Sequence, residues 1–339
     1  MKKVLLLILS LATFSFAGIN EDVNESIQYI NQKNYVKALD KLRTIRFDKE
    51  EGELFERVNF SIFQLSGDLN EQINALQKIV KNKDSKGEYA ILANELLADY
   101  EKDINKKLAL QKELNKRTDN KNIAYLLNEV LSLYKLNKEK EANKINDIID
   151  KNENLDIKKA YYINLVAALY QEKLDNYASK ISNRALKLDK KDSVYLANVY
   201  LVVANYQKNN KSAEKYLESA LKLDKSDNMQ VRVADTYAKN GEYKKAISMF
   251  ENLYKKTKEF KYAGAVLLYS TLDKDSKKEN AYYDILLKSG IKNTDIAIFL
   301  VNYNNEKLLD SAIKYAKKAV SQNEENSKQL LEQITNLKK

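Results

Sequence analysis

Cysteine, histidine, tryptophan and proline are all missing from this 339-residue chain, and only seven glycines are present. Without cysteine no disulfide can form, so stability has to come from packing. No thiol follows the N-terminal leader to carry a lipid either. Losing Cys and His together removes the usual zinc ligands and the commonest nucleophilic and acid–base groups. A glycine-rich phosphate loop and a G-x-S-x-G nucleophile turn are also lacking. The expectation is a chain that is not an enzyme and takes no cofactor and no metal. Zero proline and few glycines point to helices joined by short turns, and no stretch sustains the alternation expected of strands.

Long apolar runs are nearly absent as well. One is present, Val4 to Phe16, and it follows Lys2 and Lys3 and precedes Ser15-Phe16-Ala17 and Gly18. A basic start, an apolar core and small residues at a cut site make residues 1–17 a secretory signal peptide. The run falls short of the roughly 20 residues that span a bilayer, with an uncleaved anchor as the alternative. The mean hydropathy of −0.57 agrees with a soluble mature chain. The expected location is outside the cytoplasm, periplasmic first and secreted second.

Charge is unevenly spread. The chain has 58 basic and 48 acidic residues, but residues 18–150 hold 22 against 24 and residues 151–339 hold 34 against 24. The basic half suits anionic surfaces or acidic partners. Lysines on solvated helix faces, in a chain rich in Lys, Asn, Ile and Tyr, explain it equally well. Export argues against a nucleic-acid partner. Lys255-Lys-Thr-Lys258, Lys277-Lys278 and Lys317-Lys318 are the clusters that could lie on envelope polymers, a contact that salt would screen. Asp147-Ile-Ile-Asp150 and Asp273-Lys-Asp275 bring carboxylates together, but such pairs fit helix ends, and the second lacks the spacing of a calcium loop.

A period of about 34 residues recurs along the chain, the mark of a repeat architecture. Its clearest unit runs from Val233 to Leu253. Val233, Ala234 and Tyr237 share one face of a first helix, and Asn240-Gly241 makes a turn. Tyr243, Ala246, Phe250 and Leu253 then follow at helical spacing on a second helix. Ala246 lets the two helices approach, and Phe250 fills between them. Repeats start near 19, 53, 87, 123, 159, 194, 227, 262 and 293. Ala185-Leu-Lys-Leu-Asp189 and Ala220-Leu-Lys-Leu-Asp224 close two successive units with the same phrase.

This pattern resembles the tetratricopeptide repeat (TPR), in the form found in exported bacterial proteins. Lys190 and Lys225 stand where that family has a proline, the tryptophan is replaced, and the third and ninth units match poorly. The resemblance implies an all-α, right-handed α-solenoid, a superhelix of about nine helix pairs over residues 18–320. A capping helix over 321–339, carrying Leu330, Leu331, Ile334 and Leu337, is expected to close the stack.

It also implies that first helices line a concave groove. Asn128, Tyr134, Asn164, Tyr170, Asn198, Asn205 and Tyr206 are the groove candidates. Asn offers a donor and an acceptor to a ligand's main chain, and Tyr a flat face with a polar tip. Asn and Tyr abound throughout, so some would fall on any face. The function so implied is a scaffold of the cell envelope that binds an extended peptide or helix of a partner protein. A structural component resting on anionic polymers through its basic half is the alternative. Tyr243 is read as a packing residue.

Overall fold

The computed structural model describes residues 20–47, 49, 52–83, 85–207 and 210–338. The leader assigned to 1–17 lies outside them. Nineteen α-helices are present among the described residues. They pair as α1 (Asn20–Asn31) with α2 (Tyr35–Thr44), α3 (Glu53–Leu65) with α4 (Leu69–Lys81), and α5 (Glu88–Tyr100) with α6 (Ile104–Arg117). Next come α7 (Ile123–Lys135) with α8 (Glu139–Asp150), α9 (Leu155–Gln171) with α10 (Asp175–Leu188), and α11 (Ser193–Asn205) with α12 (Asn210–Leu223). The last pairs are α13 (Asp227–Lys239) with α14 (Tyr243–Thr257), α15 (Phe260–Asp273) with α16 (Ser276–Lys288), and α17 (Asn293–Asn302) with α18 (Leu309–Ser321). Helix α19 (Ser327–Leu337) ends the chain. The first helices begin within four residues of the repeat starts read from the sequence.

Two compact units divide within α10, after Ile181. In each unit antiparallel helix pairs stack on one another, so the fold is an all-α solenoid of helix pairs. Alanines make the close approaches. Ala38, Ala90, Ala93 and Ala142 in unit 1, and Ala213, Ala246, Ala263 and Ala316 in unit 2, are wholly buried. Around them Leu76, Ile79 and Phe60 fill the core of unit 1, and Phe250, Leu253 and Leu267 that of unit 2. Burying each such side chain contributes about 1.5–3 kcal/mol. Tyr243 stacks on Tyr269 at 6.4 Å and packs on that core. In α19, Ile334 is buried and Leu330 and Leu331 pack on the same core, but Leu337 stays exposed and adds nothing to the cap.

Caps fix the helix starts. Asp68, Asp103, Asn122, Asn154, Asp192, Ser226 and Asp275 each accept a bond from a backbone N–H in the first turn of the helix that follows. Asp275 thus serves as a cap of α16. Asp150 accepts from Tyr162 Oη at 2.5 Å, tying α8 to α9. Glu324, before α19, accepts from the N–H groups of Asn293 and Thr294 at 3.0 and 2.8 Å. Burial opposes its ionisation, but these bonds at the start of α17 outweigh it and hold the carboxyl below its usual range.

Few glycines suffice because other residues take the left-handed turn. Between first and second helices, Asn137, Lys173 and Lys274 have φ near +56 to +60°, where the equivalent Gly241 has +79°. In each case the following N–H closes a six-residue loop, as with Leu174 N to Leu169 O at 2.9 Å. A side chain at such φ costs about 1 kcal/mol. Lys173→Gly is therefore expected to raise stability by about 0.5–1 kcal/mol in urea melts, as glycine relieves the strained φ.

The third pair, which departs most from the repeat pattern, carries polar groups in its interior. Arg117 donates to the carbonyls of Ser85, Val80 and Asn82, the last two at 3.0 Å, and so closes the C-terminal end of α4. Asn115 Nδ2 donates to Glu129 at 2.7 Å, and burial pushes the Glu129 carboxyl up. Asn94 differs: it is 0% exposed and neither end of its amide has a partner in the protein. Asn146, equally buried, donates to Tyr134 Oη at 3.0 Å and accepts from Tyr161 Oη at 2.8 Å. Leucine has the same branched side-chain skeleton as asparagine, so the two sites make a matched test. Asn94→Leu is expected to stabilise by about 1–2 kcal/mol and Asn146→Leu to destabilise by about 2 kcal/mol. Urea denaturation of both variants checks the pair, and a loss in Asn94→Leu would show that its amide is satisfied in solution.

Candidate functional site

The candidate residues lie on first helices, which present one edge of each pair. In unit 1, α7 packs its buried stripe of Leu126, Val130, Leu133 and Tyr134 against its neighbours. Asn128 falls between these positions and is exposed, as is Asn164 on α9. Neither amide is bonded within the protein. Tyr170 is half-buried at the end of α9. Tyr134 leaves the set. At 1% exposure it belongs to the core, with its ring 4.6 Å from that of Tyr177 and its hydroxyl donating to Asn143 Oδ1 at 3.2 Å. The reason is its spacing from Leu126 and Val130, which puts it on the inward stripe.

Unit 2 treats its asparagines differently. Asn198 donates to Val194 O at 2.8 Å and accepts from Arg232 on α13. Asn205 accepts from Thr236 Oγ1, also on α13, at 2.9 Å. These amides spend their acceptors on the adjacent repeat. Tyr206 caps the end of α11 and remains partly exposed. Asn128 and Asn164 therefore remain as open amides in unit 1, while Asn198 and Asn205 are joined to a second row.

That second row lies outside the positions that the repeat pattern singles out. Tyr269 on α15 donates to Asp235 on α13 at 3.0 Å and lies 3.3 Å from Tyr303 Oη beyond α17. Arg232, Asp235, Tyr269 and Tyr303 thus join the face. A signal existed: Asn198 and Arg232, Asp235 and Tyr269, and Tyr269 and Tyr303 are each 34 residues apart, one repeat period. Unit 1 repeats the device, with Tyr125 on α7 donating to Glu95 on α5 at 2.8 Å. Burial, together with the Glu95 carboxylate, pushes the Tyr125 hydroxyl up to about 12. Apolar surface adjoins the row in unit 2. Phe299 on α17 lies over Gly264, its ring within 3.8 Å of where a Cβ would stand. Ile298, Phe299 and Tyr303 are more than two-fifths exposed.

No family model matches the chain, and no curated protein matches it. Three solved structures are similar to it over most of their length. The P58(IPK) TPR domain is 13% identical, with 94% of this chain and 98% of that chain covered and a TM-score of 0.23. Human IFIT1, solved as a dimer with PPP-AAAA, is 12% identical over 93% and 82% of the two chains, with a TM-score of 0.33. The APC/C hetero-tetramer Cut9–Hcn1 is 14% identical over 91% and 74%, with a TM-score of 0.29. At these identities and TM-scores the likenesses lend nothing to the reading of the fold or of the site. Among the described residues there is no cluster of three or more metal-ligating side chains, and no helix is long and apolar enough to cross a membrane.

Asp235 gives the face a measurable pH dependence. Burial pushes its carboxyl up, against the Tyr269 bond and the Lys239 charge. The folded state therefore holds this proton more tightly than the unfolded chain does. The associated stability is present below the ordinary carboxyl value of about 4 and is lost as pH rises through the folded value. Asp235→Asn keeps an acceptor for Tyr269 and removes the titration. The variant is expected to gain stability relative to the parent between about pH 4 and pH 7, measured by urea melts at both.

Proposed function

We propose that this protein is an interaction scaffold whose first-helix face binds an extended segment or a helix of a partner protein. What carries the reading is the pair Asn128 and Asn164, exposed on the successive first helices α7 and α9 with their amides open. Each can donate to and accept from a ligand's main chain, which makes capture tolerant of sequence. In unit 2 the exposed Ile298, Phe299 and Tyr303 offer the apolar anchors on which hot spots depend. The repeat fold supports this use, since within each unit successive first helices lie against one another.

The finer proposal is that the chain is exported to the periplasm, or secreted, and that its partner belongs to the bacterial envelope. It rests on the leader over residues 1–17. The alternative, contact with anionic polymers through the basic half, draws on cations left over within the lysine clusters. Lys256 and Lys278 are paired to Asp227 and Glu251, at 2.6 Å each, whereas Lys255, Lys277 and Lys317 form no ion pair.

A displayed library of unstructured peptides, selected against the parent protein, tests the scaffold reading. Peptides that bind the parent are expected to bind Asn128→Ala/Asn164→Ala at least about tenfold more weakly, by calorimetry, with the melting curve unchanged. Equal affinity for both proteins overturns the groove. Binding that the double variant keeps but about 0.5 M salt abolishes favours the basic surface instead.

A further inference from the structure

Unit 1 contains a cavity of about 450 Å³ between α2, α3 and α4. Its floor is apolar, formed by Phe47, Phe55, Val58 and Ile62, with the two phenylalanine rings edge to face at 5.2 Å. Its wall carries three cations, Arg43, Arg46 and Lys78, against the single carboxylate of Glu71.

That carboxylate is already matched. Arg43 donates to both of its oxygens at 2.7 Å, and Ser66 Oγ donates to it at 2.5 Å. These bonds, the arginine's first, hold the Glu71 carboxyl down to about 2, so it stays ionised and paired. The Arg43–Glu71 strap therefore shapes the wall without offering charge.

Arg46 and Lys78 are different. Arg46 bonds through Nη1 to the carbonyls of Arg43 and Ile45, at 2.8 and 3.2 Å, and neither acceptor cancels its charge. Lys78 is exposed and has no hydrogen bond or ion pair. Asn59, 4% exposed, lines the cavity with its Nδ2 engaged by Phe55 O at 2.9 Å. Two unmatched positive charges thus stand beside an aromatic floor.

We propose that this cavity binds a small amphipathic carboxylate, its apolar body on the Phe47–Phe55 floor and its head at Arg46 and Lys78. The volume lies within the roughly 300–1,000 Å³ typical of small-ligand sites and suits a single ring with a short chain. A neutral hydrocarbon would leave both cations unused, and a polyanion would leave the floor unused. Charge-assisted bonds to the carboxylate supply the orientation, and burial of the ring supplies the driving force. The cavity lies between α2, α3 and α4, none of which carries Asn128 or Asn164, so it is separate from those two amides.

Calorimetric titration of the full chain with 4-phenylbutyrate, and in parallel with its uncharged analogue 4-phenylbutanol, tests the site. Saturable one-to-one binding of the acid is expected, with Kd below about 1 mM and at least tenfold tighter than the alcohol. Arg46→Gln/Lys78→Gln, at two exposed positions, is expected to weaken the acid at least tenfold and to leave the melting curve and alcohol binding unchanged. Asn128→Ala/Asn164→Ala is expected to bind the acid as the parent does. Failure to saturate, equal affinity for acid and alcohol, or indifference to the Arg46/Lys78 change each overturns the proposal.

Discussion

Close approach of two helices at a buried alanine is the contact on which everything else in each unit depends. A helix pair of this size buries only one face within itself, so its remaining apolar surface must meet the next pair. Ala246 in α14, wholly buried, permits the approach and leaves Phe250 and Leu253 to fill the space between pairs. The same arrangement returns at Ala142 and Ala213. With the backbone spacing set in this way, the first helices lie side by side, and side chains one period apart come within hydrogen-bond distance.

That consequence organises the surface. In unit 2 the bonds Asn198–Arg232, Asn205–Thr236 and Asp235–Tyr269 link successive first helices, and in unit 1 Tyr125–Glu95 does so. Ion pairs link second helices, as with Lys112–Glu141 and Lys245–Glu214. The latter are exposed and contribute little each. The former are partly buried and help fix which polar groups remain open. An asparagine that a polar side chain reaches from the next repeat is closed, as Asn198 is by Arg232, and one that none reaches stays open to a ligand.

The third pair shows what a repeat does when its interior is not apolar. Arg117 takes up the carbonyls at the end of α4, and Asn115 serves Glu129. The helices form regardless, because the neighbouring pairs supply the buried surface.

Periodicity and composition determined much of this protein by themselves. Absent proline, alanines at helical spacing and a recurrence of about 34 residues were enough to place the helix pairs, since those features act within a turn or within one pair. Asn128 and Asn164 were also legible, as polar positions between the apolar stripe of their own helices. Tertiary structure alone decided the rest. Asn198 reads as open until Arg232 reaches it from the next repeat, and Asn205 until Thr236 does. The Arg46–Lys78 wall, likewise, exists only because three helices converge around it. The physical reason is range: helix formation answers to neighbours three or four residues away, whereas burial and pairing here answer to side chains about thirty residues distant.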